Sequence, residues 1–191
     1  MASKNKNAKK GDTMIVPPAP DPDSNVPGMS LWGWMGESEL RWLRQQAESM
    51  TSIVEVGSLL GRSSMALLTG CKGPVYCIDP WDDPHGHGWP TFNTNVGHFP
   101  NLVAIRGFSP GIGWQIPGDI DMVFVDGDHS PESCMADLEY WFPRTKKLIC
   151  GHDYTHPSFP GVKQSVDKFF SLERMLVSVA PDTSIWNVRL P

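Results

Sequence analysis

Short β-branched apolar runs alternate with helical stretches along most of this chain, and that alternation restricts its fold more than any other feature. Ile53–Val56, Val75–Ile78, Leu102–Ile105, Met122–Val125 and Leu148–Cys150 are too short for helices and are flanked by glycine or polar residues, the pattern of strands buried on both faces. Between them, apolar residues recur at helical spacing: Leu40, Leu43, Ala47 and Met50; Met65 and Leu68; Met135, Leu138 and Phe142; Val162, Val166, Phe169 and Phe170. Ser130 and Pro131 open the third of these stretches as N-cap and first helical residue. Met175–Val179 and Ile185–Leu190, separated by the turn sequence Pro181-Asp182-Thr183, predict an antiparallel pair at a sheet edge. The whole predicts an α/β fold with a mostly parallel sheet covered by helices on both faces.

With 191 residues the chain has enough length for one core. Residues 1–28 differ from the rest: four lysines, five prolines and almost no large apolar side chain predict a flexible tail before a domain spanning 29–191. The net charge of −5 argues against affinity built on nucleic-acid phosphates or anionic lipid. No apolar run approaches the ~20 residues that cross a bilayer, and no secretory signal follows Met1, so a cytoplasmic location is expected. Cys71, Cys77, Cys134 and Cys150 form no CxxC pair and are expected to be buried free thiols.

Ligands of open α/β sheets bind beyond the carboxyl ends of the strands. Here those ends read Glu55-Val56-Gly57-Ser58-Leu59-Leu60-Gly61-Arg62-Ser63, Asp79-Pro80-Trp81, Arg106-Gly107-Phe108-Ser109, Asp126-Gly127-Asp128-His129 and Gly151-His152-Asp153-Tyr154. Gly57 and Gly61 bracket a tight turn into a helix, which lets a ligand approach bare backbone and the helix N-terminus. The turn is neither a Walker loop nor a GxGxxG fingerprint. Asp79, 22 residues after Gly57, stands where an acid can accept hydrogen bonds from both hydroxyls of a ribose.

EVGSLLGRSS, VYCIDPW, DMVFVDGDHSPESCMADLEYW, and GHDY followed by GVKQSVDKFF resemble the signature stretches of class I S-adenosylmethionine-dependent methyltransferases, in particular those acting on hydroxyls of sugars and other small molecules. The resemblance covers about residues 50–170. It implies a Rossmann-like seven-stranded sheet whose last strand inserts antiparallel. It also implies that Glu55, Gly57, Ser58 and Gly61 line the methionine end of the cofactor, with Ser63 near the helix start. Asp79 would hold the ribose and Trp81 would cover it; Gly107, Phe108 and Ser109 would lie near the adenine, and Asp126 beneath the sulfonium.

An alcohol or phenol acceptor must also lose a proton, to a base or with the help of a metal. By the same resemblance Asp126, His152 and Asp153 are candidate ligands of Mg²⁺ or Mn²⁺, and Asp128 or His129 is the candidate base. Relatives commonly carry two acids where this chain has His152-Asp153, which leaves the metal open, since an imidazole shifts preference toward transition metals. Two bland alternatives stand beside these roles: His129 as a helix cap, and His152 bonded to a backbone carbonyl. Arg144-Thr145-Lys146-Lys147 replaces the usual glycine-rich turn, at the sheet end remote from the site. Trp81–Pro100 reads as a loop, its Trp89, Phe92 and Phe99 forming a lid or acceptor wall or packing onto the sheet. His85 and His87 read as solvated loop residues, with a metal pair as the alternative. Trp32 and Trp34 either cover the site or form a contact in a homo-oligomer. The expected activity is methyl transfer to a small molecule, with no nucleic acid or membrane as partner; the alternative is a non-catalytic protein that keeps the fold and the cofactor.

Overall fold

The computed structural model describes residues 19–82 and 88–191; His85 and His87 lie outside them. Five helices, α1 (Glu37–Ala47), α2 (Arg62–Gly70), α3 (Gly88–Val96), α4 (Pro131–Trp141) and α5 (Pro160–Leu172), alternate with seven strands: β1 (Ile53–Val56), β2 (Val75–Asp79), β3 (Leu102–Arg106), β4 (Ile120–Val125), β5 (Thr145–Gly151), β6 (Ser178–Val179) and β7 (Trp186–Arg189). The sheet order is β3-β2-β1-β4-β5-β7-β6. The first five strands run parallel to one another, and β7 runs antiparallel between β5 and β6. The expected fold class and antiparallel last strand are therefore present, with β6 shorter than the apolar run that contains it.

Pleating sends alternate residues to opposite faces. On β1, Ile53 joins a core with Leu40, Leu43, Leu67, Phe92 and Phe124, while Val54 and Val56 join a second with Leu138, Trp141, Ile149, Val166 and Phe170. Each fully buried Leu or Phe contributes roughly 1.5–3 kcal/mol, so both helical layers are firmly seated. From β1 the chain steps outward to β2 and β3 and then crosses back to β4 on the other side of β1, and this switch point opens a crevice above the carboxyl ends of β1 and β4.

Two expectations are corrected. Trp81–Pro100 is not all loop: Gly88–Val96 is helical, because Pro90 falls in the first turn, where its missing N–H costs nothing. Phe92 is fully buried and Trp81 packs on it with ring centroids 4.6 Å apart. Of the tail expected over 1–28, residues 1–18 lie outside the described residues, and the remainder is packed on the domain. The Asp21 N–H donates to Met29 O, Val26 is buried in the first core, and Gly28 backs onto Arg62 O. Arg144 donates to the carbonyls of Gly113, Ile116 and Gly118 at the start of β5, far from the crevice. The four cysteines are buried and free. No helix among the described residues is long and apolar enough to cross a membrane.

Candidate active site

The crevice is a cavity of about 1180 Å³, larger than the ~300–1,000 Å³ typical of a single small-molecule pocket. Its floor is the β1–α2 turn. Gly57 takes φ +85°, and a β-carbon there would fall 2.0 Å from Asp126 O, so only glycine lets this turn lie against the end of β4. Gly57, Ser58, Leu59, Leu60 and Ser63 line the cavity, beside the first turn of α2, whose N–H groups have no partner within the helix. Two residues expected here do not line it. Glu55 is fully buried, its Oε2 accepting from the hydroxyls of Ser58 (2.7 Å) and Ser64 (2.5 Å), and burial pushes its pKa up. Gly61 caps α2 against Val96 and Phe92. Both shape the turn from beneath.

Asp79 lines the cavity and ties down the same turn: Oδ2 accepts from the Ser58 and Leu59 N–H groups at 3.1 and 2.9 Å, and Oδ1 from Trp81 N–H at 2.7 Å. A carboxylate offers about four acceptor positions, so one stays open to a ligand. Trp81 does not cover the cavity; it is 4 % exposed, its indole N–H donates to Leu59 O, and its ring belongs to the core. Gly107, Phe108 and Ser109 form the wall beyond Asp79.

At the other end, β4, β5 and α1 bring together a charged cluster. Asp126, His152 and Asp153 each place a ligand atom within 4.8 Å of the others. His152 Nδ1 lies 3.7 Å from Asp126 Oδ1 and 3.4 Å from Asp153 Oδ1, while Nε2 sits 3.0 Å from Glu39 Oε1. Two carboxylates and an imidazole whose far nitrogen is held by a third carboxylate make a donor set that fits a divalent cation. His152 thus bonds a carboxylate where the bland alternative had a backbone carbonyl.

Burial alone would lower the pKa of His152, but Asp126, Asp153 and Glu39 outweigh it and raise the pKa to about 11. Burial likewise opposes protonation of His129, yet Asp126 and Asp153 lift it to about 9. His129 Nε2 is 2.9 Å from Asp153 Oδ2 and 3.8 Å from Asp126 Oδ1; it makes no aligned hydrogen bond, so the attraction is electrostatic. Its ring stacks on Phe159 at 4.1 Å. Burial works to raise Asp153, but the two imidazoles hold it well below the usual carboxylate range. Burial pushes Asp126 up despite them.

Asp128 is not placed to be a base. Its carboxylate accepts from Ser130 N–H and from the hydroxyls of Ser130 and Ser133, which lowers its pKa; it braces the start of α4. The helix-cap role weighed for His129 falls to Ser130, whose hydroxyl accepts from Ser133 N–H.

Four lining residues are not evident from sequence patterns. Glu39 on α1 accepts from His152 and from Ser184 N–H and Oγ–H; burial would raise it, but His152 brings it down to about 2. Its Oε2 closes a capping box with Gly36, and a cap is all that sequence spacing suggests. Arg62 reaches out of α2 to donate to Leu31 O at 2.5 Å. Ser184 belongs to the β6–β7 connection. Asp137 lies on the buried side of α4 with Cys134, Leu138 and Trp141; an acid within an apolar helical pattern is the one signal that could have found it. Trp32 and Trp34 line the mouth as an edge-on pair 5.9 Å apart.

The methyltransferase domain family matches residues 54–154. No curated protein matches the sequence. Among solved structures, an O-methyltransferase from Bacillus cereus in complex with SAH is similar at a TM-score of 0.63 and 15% identity, over 82% of both chains. An O-methyltransferase of tomaymycin synthesis from Streptomyces achromogenes, in complex with SAM, gives 0.63 and 16% over 82% of this chain and 80% of that one. A TDP-rhamnose 3'-O-methyltransferase of calicheamicin biosynthesis gives 0.61 and 17% over 79% and 76%. At such identities the likeness is one of fold.

Proposed function

Because the chain belongs to the methyltransferase domain family, we propose that it transfers a methyl group from S-adenosylmethionine to a hydroxyl of a small molecule. The observation that carries this reading is one continuous cavity from the Gly57–Ser63 turn to the Asp126–His129–His152–Asp153 cluster. In it, Gly57, Ser58 and Ser63 hold the methionine part, Asp79 takes the ribose on its remaining acceptor position, and Gly107, Phe108 and Ser109 bound the adenine. Asp126 then lies below the sulfonium, and its charge favours the cationic donor over the neutral product. The volume beyond one ligand leaves room for an acceptor under Trp32 and Trp34.

Methyl transfer from a sulfonium is an in-line displacement: the oxygen–carbon bond forms as the sulfur–carbon bond breaks, and the pair of electrons stays on sulfur. The donor is already activated, so the protein's work is alignment and exclusion of water. The hydroxyl's proton passes to the acidic cluster, where the neutral form of His129 takes it at Nε2, between Asp153 and Asp126. Because its pKa is raised to about 9, the neutral form that can take the proton grows as pH rises toward that value. Asp126, His152 and Asp153 would hold Mg²⁺ or Mn²⁺, which when bound lowers the pKa of a coordinated hydroxyl. Glu39 keeps His152 turned toward Asp126 and Asp153.

Calorimetric titration with S-adenosylmethionine, with and without Mg²⁺ or Mn²⁺, tests the reading. Saturable heat with one site per chain is expected. Absence of heat under every condition overturns it.

A further inference from the structure

One buried acid in the cavity has no part in the chemistry above. Asp137 sits on α4 and is 3 % exposed, yet it lines the cavity beside Ser109 and Ser133. Its Oδ1 accepts from the Ser109 hydroxyl at 2.5 Å, and Ser109 Oγ in turn accepts from the Trp141 indole N–H at 2.9 Å. Oδ2 has no hydrogen bond among the described residues. A carboxylate removed from water needs donors, and one hydroxyl does not suffice: burial pushes the group up to about 6, with Asp128 adding to it. Oδ2 is thus left to accept from a ligand's N–H in the cavity that Asp137 lines.

Which N–H is set by position. Asp137 is bonded to Ser109, the residue of the purine wall, and not to the turn that holds methionine or to Asp79. The wall itself, Gly107-Phe108-Ser109, contains no carboxylate. Along the edge of an adenine the exocyclic amine is the donor, whereas a 6-oxo purine presents an acceptor oxygen there. Building on the cofactor reading above, we propose that Asp137 determines purine specificity by accepting a hydrogen bond from the exocyclic amine of the bound nucleoside. Ser109 positions it: by donating to Oδ1 it fixes the carboxylate plane, and the Trp141 N–H fixes Ser109.

The test compares S-adenosylhomocysteine with its 6-oxo counterpart, S-inosylhomocysteine, by calorimetry on the full chain and on Asp137→Asn. A hydrogen bond to a charged acceptor is worth roughly a 10- to 100-fold preference, so the wild type should favour the amino compound by about that factor. In Asp137→Asn the amide oxygen can still accept from Ser109, which turns the NH₂ toward the purine; the preference should collapse or reverse. A role confined to supporting α4 would weaken both ligands alike and leave their ratio unchanged. An equal affinity of the wild type for the two compounds, or an unchanged ratio in the variant, overturns the inference alone. Failure of the wild type to bind S-adenosylhomocysteine at all overturns the cofactor reading, and the inference with it. Equal affinity of the wild type for the two compounds overturns the inference even where the variant does not fold.

Discussion

Replacing Gly57 with alanine tests whether the floor of the cavity depends on contact between two backbones. The residue has φ +85°, and an added β-carbon would lie 2.0 Å from Asp126 O, 2.6 Å from Asp126 C and 2.9 Å from Gly127 Cα. The left-handed conformation alone costs a residue with a β-carbon roughly 1–2 kcal/mol. Neither the turn nor the end of β4 is a flexible side chain, so relieving the overlap adds overpacking strain, typically about 1–3 kcal/mol. Gly118 supplies the control: its φ is +68°, but a β-carbon added there would meet nothing within 4 Å. Gly118→Ala should therefore show only the conformational part. For a chain of this size about 2–4 °C is lost per kcal/mol, so Gly57→Ala should melt roughly 4–20 °C below the wild type and below Gly118→Ala as well. Differential scanning calorimetry reads the stability, and titration with S-adenosylmethionine reads the floor, where affinity should fall more than about tenfold for Gly57→Ala alone. Equal melting temperatures for the two variants would show that the approach of Gly57 to Asp126 carries no energy, and the reasoning would fail.

Further outcomes follow from other contacts. Asp79→Ala should weaken S-adenosylmethionine binding at least about tenfold by calorimetry; an unchanged Kd in a folded variant would show the ribose assignment to be wrong. His129→Ala should lower kcat about 10²- to 10⁴-fold on any acceptor found in a panel of hydroxylated compounds while leaving cofactor affinity within a few-fold, and a loss of affinity instead would place His129 in cofactor binding. The folded pKa of Asp137 lies near 6, above its unfolded value, so its contribution to stability is complete below about pH 4 and is lost as pH rises through about 6. Urea titrations of Asp137→Asn should therefore fall less steeply than those of the wild type between those limits; identical profiles would contradict the buried setting. Arg62→Ala removes the donors to Leu31 O and Met29 Sδ and should cost about 1–3 kcal/mol, with faster protease cleavage near residue 30; unaltered cleavage would mean the segment is held by other contacts.

The parallel strands and their polar ends were legible because a buried strand is written locally, in four to seven consecutive residues such as Ile53–Val56. The α3 helix was not, since Gly88, Pro90 and Gly97 are loop residues by composition and helix punctuation by position. Asp126, His152 and Asp153 could be placed near one another because they stand within two residues of the ends of β4 and β5, which pair in parallel; their grouping as ligands came from the resemblance. Glu39 could not: 113 residues separate it from His152, and its local pattern with Gly36 accounts for it fully as a helix cap. Trp81 and Asp128 were misjudged for a related reason. Sequence shows that a side chain is near the strand ends, but whether it faces the ligand or the scaffold depends on neighbours such as Phe92 and Ser133 that only packing supplies.

The contacts of Glu39 tie the chain's beginning to its end. One carboxylate on the first helix holds the imidazole after β5 and the backbone before β7, both beyond reach of any local folding unit. Setting of that carboxylate is thereby conditional on the last part of the chain: one that ends at residue 154 carries Glu39 and His152 but lacks Ser184, whose N–H and hydroxyl hold the same oxygen. The closing hairpin of the sheet therefore also finishes a carboxylate laid down on its first helix.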